Sequence, residues 1–97
     1  MDRMFDHSGN TFVWNEGKAA ENEHKHGVKF EEAATVFDDP LLVLADASRN
    51  VEQRDKVVGF SIAGRLLTVV HIEFEGEFIR IISAWRASPA EEALYDQ

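Results

Sequence analysis

The strongest constraint on the fold is a pair of apolar segments, Arg65 to Phe74 and Phe78 to Arg86, with only Glu75-Gly76-Glu77 between them. Both segments are rich in the β-branched and aromatic side chains that favour strands, and the glycine between them suits a short turn. This pattern is typical of a β-hairpin. The chain is therefore predicted to build its fold around an antiparallel pair of strands.

Two helices are predicted ahead of this hairpin. Asn15 is a suitable N-cap for a helix from Glu16 to about Lys25, and Gly27 is placed to stop it. Between Phe30 and Phe37, apolar residues follow the i, i+3, i+4, i+7 spacing of one helical face. The sequence Asp38-Asp39-Pro40 ends this second helix.

The remaining elements are shorter. Strands are predicted at residues 12–14, 41–45 and 56–62, and Ser88-Pro89-Ala90-Glu91 has the spacing of a capping box that starts a helix. Residues 1–10 show little periodicity and are predicted to be a flexible N-terminal arm before a single domain over residues 11–97. The order β-α-α-β-β-β-β-α predicts an α+β fold, an antiparallel β-sheet packed on one side by two N-terminal helices and a short C-terminal helix.

The charge distribution limits the kind of partner that the chain can attract. A net charge of -8 at pH 7 argues against broad attraction to nucleic acid. Acidic and basic side chains balance only in residues 40–86, and the acidic flanks suit a basic partner. An anion-binding surface is therefore expected among the basic residues of this middle region: Arg49, Arg54, Lys56, Arg65, Arg80 and Arg86.

Composition also bears on redox and membrane chemistry. The chain has no cysteine, which excludes disulfides and thiolate metal sites. Its apolar runs are far shorter than the roughly 20 residues of a membrane span, so we expect a soluble cytoplasmic protein. A metal site at His24 and His26 with Glu21 or Glu23 is an alternative, but helical residues two apart face different directions. We expect neither a metal nor another cofactor.

Several short motifs follow one another along most of the chain. The first half contains Phe12-x-Trp14-x-Glu16-x-Lys18, Lys25-His26-Gly27-Val28 and Phe37-x-Asp39-Pro40. The second half contains Arg80-Ile81-Ile82-Ser83-Ala84 and Glu91-x-x-x-Tyr95. On these motifs, over about residues 12 to 95, the chain resembles the BrnT-type ribonuclease toxins, which are RelE-like toxins of bacterial type II toxin–antitoxin systems.

This resemblance implies a RelE-like domain that cleaves RNA without a metal ion and is held inactive by a BrnA-type antitoxin. It also implies that DNA is bound only indirectly, through the antitoxin. Two positions differ from the family pattern, because Trp85 replaces a common basic residue and Glu92 lies in a segment that relatives make basic. The alternative is a catalytically weak or inactive BrnT-like binding module that only forms a complex with its antitoxin.

Metal-free RNA cleavage needs a base for the ribose 2′-hydroxyl, an acid for the leaving oxygen and cations for the developing charge. Arg80 and Arg86 are candidates, because residues six apart in a regular strand share a face and a guanidinium can bind two phosphate oxygens. The alternative is that both are rim residues paired with nearby glutamates.

The other candidates for the site each have a structural alternative. His26 can exchange a proton near neutral pH, or it can cap the C-terminus of its helix. Glu91 and Tyr95 lie four apart on one helical face and can meet an RNA phosphate or sugar. Further RNA-binding candidates are cations whose alternative is a solvated surface position: Arg54, Lys56 and Lys25.

Three residues of the hairpin are given structural interpretations. His71 lies inside an apolar strand and is expected to be a hydrogen-bonded core residue rather than a catalyst. Arg65 follows a turn glycine and is expected to be solvated. Trp85 faces away from Arg86 and is expected to pack under the terminal helix or in the antitoxin interface.

Overall fold

The computed structural model describes residues 1–45 and 54–96, and within them six strands form one sheet with helices on both faces. The α+β class predicted from the sequence is confirmed. The elements are β1 (Asp2–His7), β2 (Asn10–Asn15), α1 (Glu16–His26), α2 (Phe30–Thr35), β3 (Val43–Leu44), β4 (Asp55–Phe60), β5 (Leu66–Phe74), β6 (Phe78–Arg86) and α3 (Pro89–Tyr95).

The sheet is mixed, so the prediction of a purely antiparallel sheet was wrong. Its strand order is β1-β2-β6-β5-β4-β3, and β2 runs parallel to β6 with Phe12 opposite Ile79. The other neighbouring strands are antiparallel. Turn signals report only pairs that are adjacent in sequence, whereas β2 and β6 are separated by most of the chain.

Residues 2–7 form strand β1 where an irregular arm was predicted. This strand pairs antiparallel with the whole of β2. The turn between them has φ of 51° at Ser8 and 83° at Gly9, the positive values that a tight two-residue hairpin turn requires. Phe5 packs on Trp14 with ring centroids 5.7 Å apart. The Ser-Gly pair was the local signal of this turn.

The two N-terminal helices lie where the sequence predicts them. Asn15 caps α1 by accepting a hydrogen bond from the Lys18 N–H at 3.0 Å, and Gly27 ends the helix with φ of 69°. α2 is shorter than predicted, because Val36–Asp38 continue as a 3₁₀ turn. Asp39 precedes Pro40 and is extended, with φ of -72° and ψ of 114°, which ends this turn at Asp38.

Two of the predicted strands differ in length from the observed ones. β3 covers only Val43–Leu44. β4 ends at Phe60 because residues 61–64 form a turn, in which Ile62 is 81% exposed. The cationic candidate Arg49 lies outside the described residues. No helix in the described part of the chain is long and apolar enough to cross a membrane. The same part gathers no three potential metal ligands around His24 and His26.

The hydrophobic core lies between the sheet and the layer formed by α1 and α2. Trp14 meets Phe30 edge-on at 5.8 Å, and Phe12 lies 5.4 Å from Phe37 between ring centroids. Complete burial of one side chain of this size contributes about 1.5–3 kcal/mol. The buried residues of the core are Phe12, Trp14, Val28, Phe30, Ala33, Ala34, Val36, Val57, Leu67, Val69, Ile81 and Ala84.

Helix α3 covers the opposite face of the sheet, so the prediction that helices pack on one side only was wrong. Thr68 and Trp85 alternate along their strands with core residues, and both donate hydrogen bonds to Glu91 of α3. Successive side chains of a strand point to opposite faces. The capping pattern of α3 predicts where it begins, but it does not determine which face the helix covers.

Candidate functional site

Basic side chains gather where the end of α1 meets the end of β6. Lys25, His26 and Arg86 line an open depression of about 620 Å³ together with Trp85. Lys25 and Arg86 are exposed, whereas His26 and Trp85 are half-buried with ring centroids 6.0 Å apart. A second depression of about 750 Å³ shares Lys25 and His26 and runs along α1 to Ser83. The structure thus brings three predicted site residues together, and we call them the basic cluster.

The end of α1 favours positive charge at the basic cluster. Gly27 stops the helix, and its N–H donates to the Glu23 carbonyl at 2.8 Å. The last turn carries His24, Lys25 and His26 beside the negative end of the helix dipole. His26 lies in this last turn and also lines the depression, so its position suits either role that the sequence predicts, capping or proton exchange.

Asn22 fixes α1 against β6 and had no role assigned from the sequence. It is buried, at 7% exposure, and its Nδ2 donates to the Val28 carbonyl at 3.0 Å. Its Oδ1 accepts from the Ser83 hydroxyl at 3.2 Å, and both amide atoms bond to the main chain of Ala84. A polar residue in a largely polar helix gives no sequence signal of burial, which is why this residue was missed.

Arg65 joins the end of α1 to the start of α2. Its Nε donates to Glu32 Oε2 at 2.9 Å, and its Nη2 donates to the Gly27 carbonyl at 3.1 Å and to Glu32 Oε1. The hydrogen bond from Arg65 holds the pKa of Glu32 below its usual value, and the positive charge of Arg86 acts in the same direction. The solvated position predicted for Arg65 was wrong, because its partner lies on a distant helix.

Arg80 and Arg86 lie on opposite faces of the sheet. The register of β5 against β6 shifts between Val70 and His71, which leaves Ile82 as an extra residue on β6. A bulge of this kind reverses the alternation of side chains beyond it. The expectation that both arginines share one face was wrong, because it assumed a regular strand.

Arg80 forms an ion pair outside the basic cluster. Its Nη2 lies 2.9 Å from Asp2 Oδ2, and this hydrogen bond lowers the pKa of Asp2. The partner is thus a residue of β1 rather than one of the hairpin glutamates that the sequence suggested. Exposed ion pairs of this type contribute little to stability and exchange readily with solvent or other ions.

Glu91 connects α3 to the sheet beside the basic cluster. Its Oε1 accepts hydrogen bonds from the Ser88 N–H at 2.8 Å, Thr68 Oγ1 at 2.9 Å and Trp85 Nε1 at 3.1 Å. Burial alone would raise the pKa of Glu91, but these hydrogen bonds outweigh it and the pKa is lowered. Glu91 lies beneath α3, outside the lining of the 620 Å³ depression.

Tyr95 shares the sheet-facing side of α3 with Glu91, as their spacing predicts. Its hydroxyl donates to Asp39 Oδ2 at 2.7 Å, and its ring meets Phe60 edge-on at 5.3 Å. The hydrogen bond to Asp39 raises the pKa of Tyr95 to about 12. Asp39 also accepts a hydrogen bond from the Phe60 N–H at 2.8 Å, so Asp39 links Tyr95 of α3 to the end of β4.

The other cationic candidates also lie away from the depression. Lys56 is near the start of β4, and its Nζ is 3.7 Å from Glu91 Oε2. Arg54 precedes β4 and is partly buried. Neither residue lines the 620 Å³ depression around Arg86.

His71 is a core residue, as predicted from its apolar strand. It is 3% exposed and meets Phe37 edge-on with ring centroids 5.0 Å apart. Burial lowers its pKa, which favours the neutral ring. A hydrogen bond with the main chain of Val69 acts to raise the pKa, and Nδ1 has no hydrogen-bond partner among the described residues.

The sequence of the chain matches one known protein family over most of its length. The family described as the ribonuclease toxin BrnT of type II toxin–antitoxin systems matches residues 14–91. The chain belongs to the BrnT family of ribonuclease toxins. No match was found among curated proteins.

Membership in the BrnT family confirms the resemblance inferred from the sequence motifs. The matched range contains Asn22, Arg65 and the whole basic cluster, whereas β1 and Tyr95 lie outside it. A ribonuclease toxin of a type II system implies an RNA substrate and an antitoxin partner.

Proposed function

We propose that this BrnT chain is a metal-independent endoribonuclease toxin with a RelE-like domain, neutralised by a BrnA-type antitoxin. The observation that carries the proposal is the basic cluster, in which Lys25, His26 and Arg86 line one open depression. A local concentration of cations on a chain of net charge -8 provides a defined place for RNA phosphate.

The chemistry proposed for this cluster is transphosphorylation. The neutral ring of His26 accepts the proton of a ribose 2′-hydroxyl, and the 2′ oxygen attacks the adjacent phosphorus. The bond from phosphorus to the 5′ oxygen breaks, and that oxygen takes a proton from water. The products are a 2′,3′-cyclic phosphate and a free 5′-hydroxyl, and His26 then releases its proton to solvent.

Arg86 and Lys25 supply the positive charge that this reaction needs. The Arg86 guanidinium can donate two parallel hydrogen bonds to phosphoryl oxygens, and the Lys25 ammonium adds a second charge. Both groups are exposed at the rim of the depression. Their interaction with the phosphate becomes stronger as negative charge builds up on the phosphoryl oxygens in the transition state, which lowers the barrier.

The remaining candidates take supporting roles in this proposal. Arg80 contacts RNA phosphate outside the reacting centre, since its ion pair with Asp2 is exposed. Lys56 and Arg54 extend the same backbone contacts. Glu91 holds Trp85 at the edge of the depression, where the two are 3.1 Å apart between Oε1 and Nε1.

The purified chain tests this function directly. RNA should be cleaved equally with and without a chelator, and the products should end in 2′,3′-cyclic phosphate. His26→Gln should lower the rate about 100-fold, the usual contribution of one acid–base group. Cleavage that stops with the chelator, or products ending in a 3′-hydroxyl, would refute the proposed chemistry.

A second function, an inactive binding module, is favoured by the acidic surroundings of the cluster. Glu32 accepts two hydrogen bonds from Arg65, and it lies close enough to Arg86 for that positive charge to lower the pKa of Glu32. Glu92 on α3 and Asp96 directly after it add exposed negative charge. A module of this kind would form the antitoxin complex without cleaving RNA, and its expression without the antitoxin would not arrest growth.

A further inference from the structure

Trp85 is held in a fixed orientation at the edge of the basic depression. Its Nε1 donates to Glu91 Oε1 at 3.1 Å, and the same oxygen accepts the Ser88 N–H at 2.8 Å within a capping box. The indole is only half-buried, and it lines the 620 Å³ depression. A large ring that is anchored through its polar edge and keeps part of its apolar surface accessible is organised for stacking.

The charge around Trp85 distinguishes it from other aromatic side chains at the surface of the described residues. Phe74 and Phe78 lie 4.6 Å apart at the tip of a hairpin whose turn carries two glutamates. Phe60 packs on Tyr95, whose hydroxyl bonds to a carboxylate. Trp85 also bonds to a carboxylate, but Glu91 lies outside the depression, whose other lining residues are all basic. Basic side chains attract nucleic acid, whereas carboxylates repel it.

We propose that Trp85 stacks on one unpaired base of a single-stranded RNA whose adjoining phosphate is bound by Arg86 and Lys25. Stacking on an aromatic ring and cationic contacts along the backbone are the two means by which proteins bind single strands. The depression of about 620 Å³ lies in the size range of pockets that accept small organic molecules, which includes one base.

The same geometry disfavours a duplex. Paired bases in an A-form helix are stacked on each other and present only edges, sugars and phosphates. The Trp85 ring would have no base face to contact. This inference rests on the proposed function, because it names the form of RNA that the same site accepts.

Tryptophan fluorescence tests the stacking separately from cleavage. A 2′-O-methyl oligonucleotide lacks the attacking hydroxyl and therefore binds without being cut. Trp14 is 1% exposed in the core, so quenching reports on Trp85. The single strand should quench the emission, and the same strand annealed to its complement should not. Equal quenching by both would overturn the proposal.

Matched variants extend the test to affinity, measured by the anisotropy of a labelled oligonucleotide. Trp85→Leu should weaken binding of the single strand about tenfold, while Trp85→Phe should retain most of it. Phe74→Leu removes an aromatic ring from the acidic hairpin tip and should leave the affinity unchanged. An abasic nucleotide in the oligonucleotide should reproduce the loss with the unaltered protein, which avoids any effect of mutation on folding.

Two outcomes would overturn the stacking. One is equal affinity for the intact and abasic strands, and the other is a Trp85→Leu protein that loses antitoxin binding while its oligonucleotide affinity is unchanged. The latter would place Trp85 in a protein interface. Quenching without cleavage of ordinary RNA would refute only the proposed function, and cleavage without quenching would refute only the stacking.

Discussion

The side-chain amide of Asn22 pairs with the main chain of Ala84 in both directions. Asn22 Oδ1 accepts from the Ala84 N–H at 3.1 Å, and Asn22 Nδ2 donates to the Ala84 carbonyl at 2.9 Å. The amide takes the place of a neighbouring strand along β6, since β2 pairs with β6 only near its beginning. This contact sets the position of α1 and brings its last turn beside Arg86.

Replacing Asn22 by alanine should destabilise the fold by about 2–4 kcal/mol. The change leaves three main-chain groups of Ala84 and Val28 without their side-chain partner, and each buried unsatisfied group costs about 1–3 kcal/mol before relaxation. Urea unfolding measures the loss. Glu21→Ala, an exposed change on the same helix, should alter stability by less than about 0.5 kcal/mol. Equal effects of the two substitutions would show that the amide contact contributes nothing.

The carboxylate of Glu91 should make stability depend on pH. Its pKa is lowered in the folded protein. The carboxylate therefore adds to the free energy of unfolding above the usual pKa of 4.5, and this stabilisation is lost as pH falls through the folded-state pKa. Glu91→Gln should therefore lower stability by about 1–2 kcal/mol at neutral pH, and the difference should shrink in acid. Urea midpoints of both proteins down to about pH 3 measure this trend.

Glu92→Gln provides the matched control for this pH dependence, because Glu92 is an exposed neighbour on the same helix. Its urea midpoints should follow those of the unaltered protein at every pH. A stability difference for Glu91→Gln that stays constant with pH would contradict the assigned role of the carboxylate.

Tyr95 should titrate at unusually high pH. Because the chain has one tyrosine, the absorbance of the phenolate measures the titration of Tyr95 alone. The hydrogen bond to Asp39 raises its pKa to about 12. The stabilisation from this hydrogen bond is fully present below the usual tyrosine pKa of 10.0 and is lost as pH rises through the folded-state pKa. Asp39→Asn should move the titration towards the usual value. A midpoint near 10 in the unaltered, folded protein would disprove the contact.

Local signals predicted both ends of α1 and the start of α3 well. Asn15, Gly27 and the Ser88–Glu91 capping box mark helix boundaries through contacts with residues three or four positions away, so a short window of sequence contains both partners. The parallel pairing of β2 with β6 and the bulge at Ile82 depend on distant partners. No local pattern distinguishes them from a regular antiparallel strand.

The candidate site shows the same division between local and distant information. Residue type and the family motifs identified Lys25, His26 and Arg86 separately, but their meeting depends on how α1 docks on β6. The bond between Arg65 and Glu32 joins a turn to a distant helix, and only the folded chain reveals it. One bulge residue was sufficient to move Arg80 to the other face.

The most direct test of the proposed site compares Arg86→Ala with Arg80→Ala in cleavage of single-stranded RNA. Both side chains are on β6, but only Arg86 lines the depression with His26. Arg86→Ala should lower kcat/KM about 100- to 1,000-fold, as expected for loss of a group that stabilises the transition state, and Arg80→Ala should lower it less than about tenfold. A larger loss for Arg80→Ala would contradict the account and move the reacting centre to the other face of the sheet.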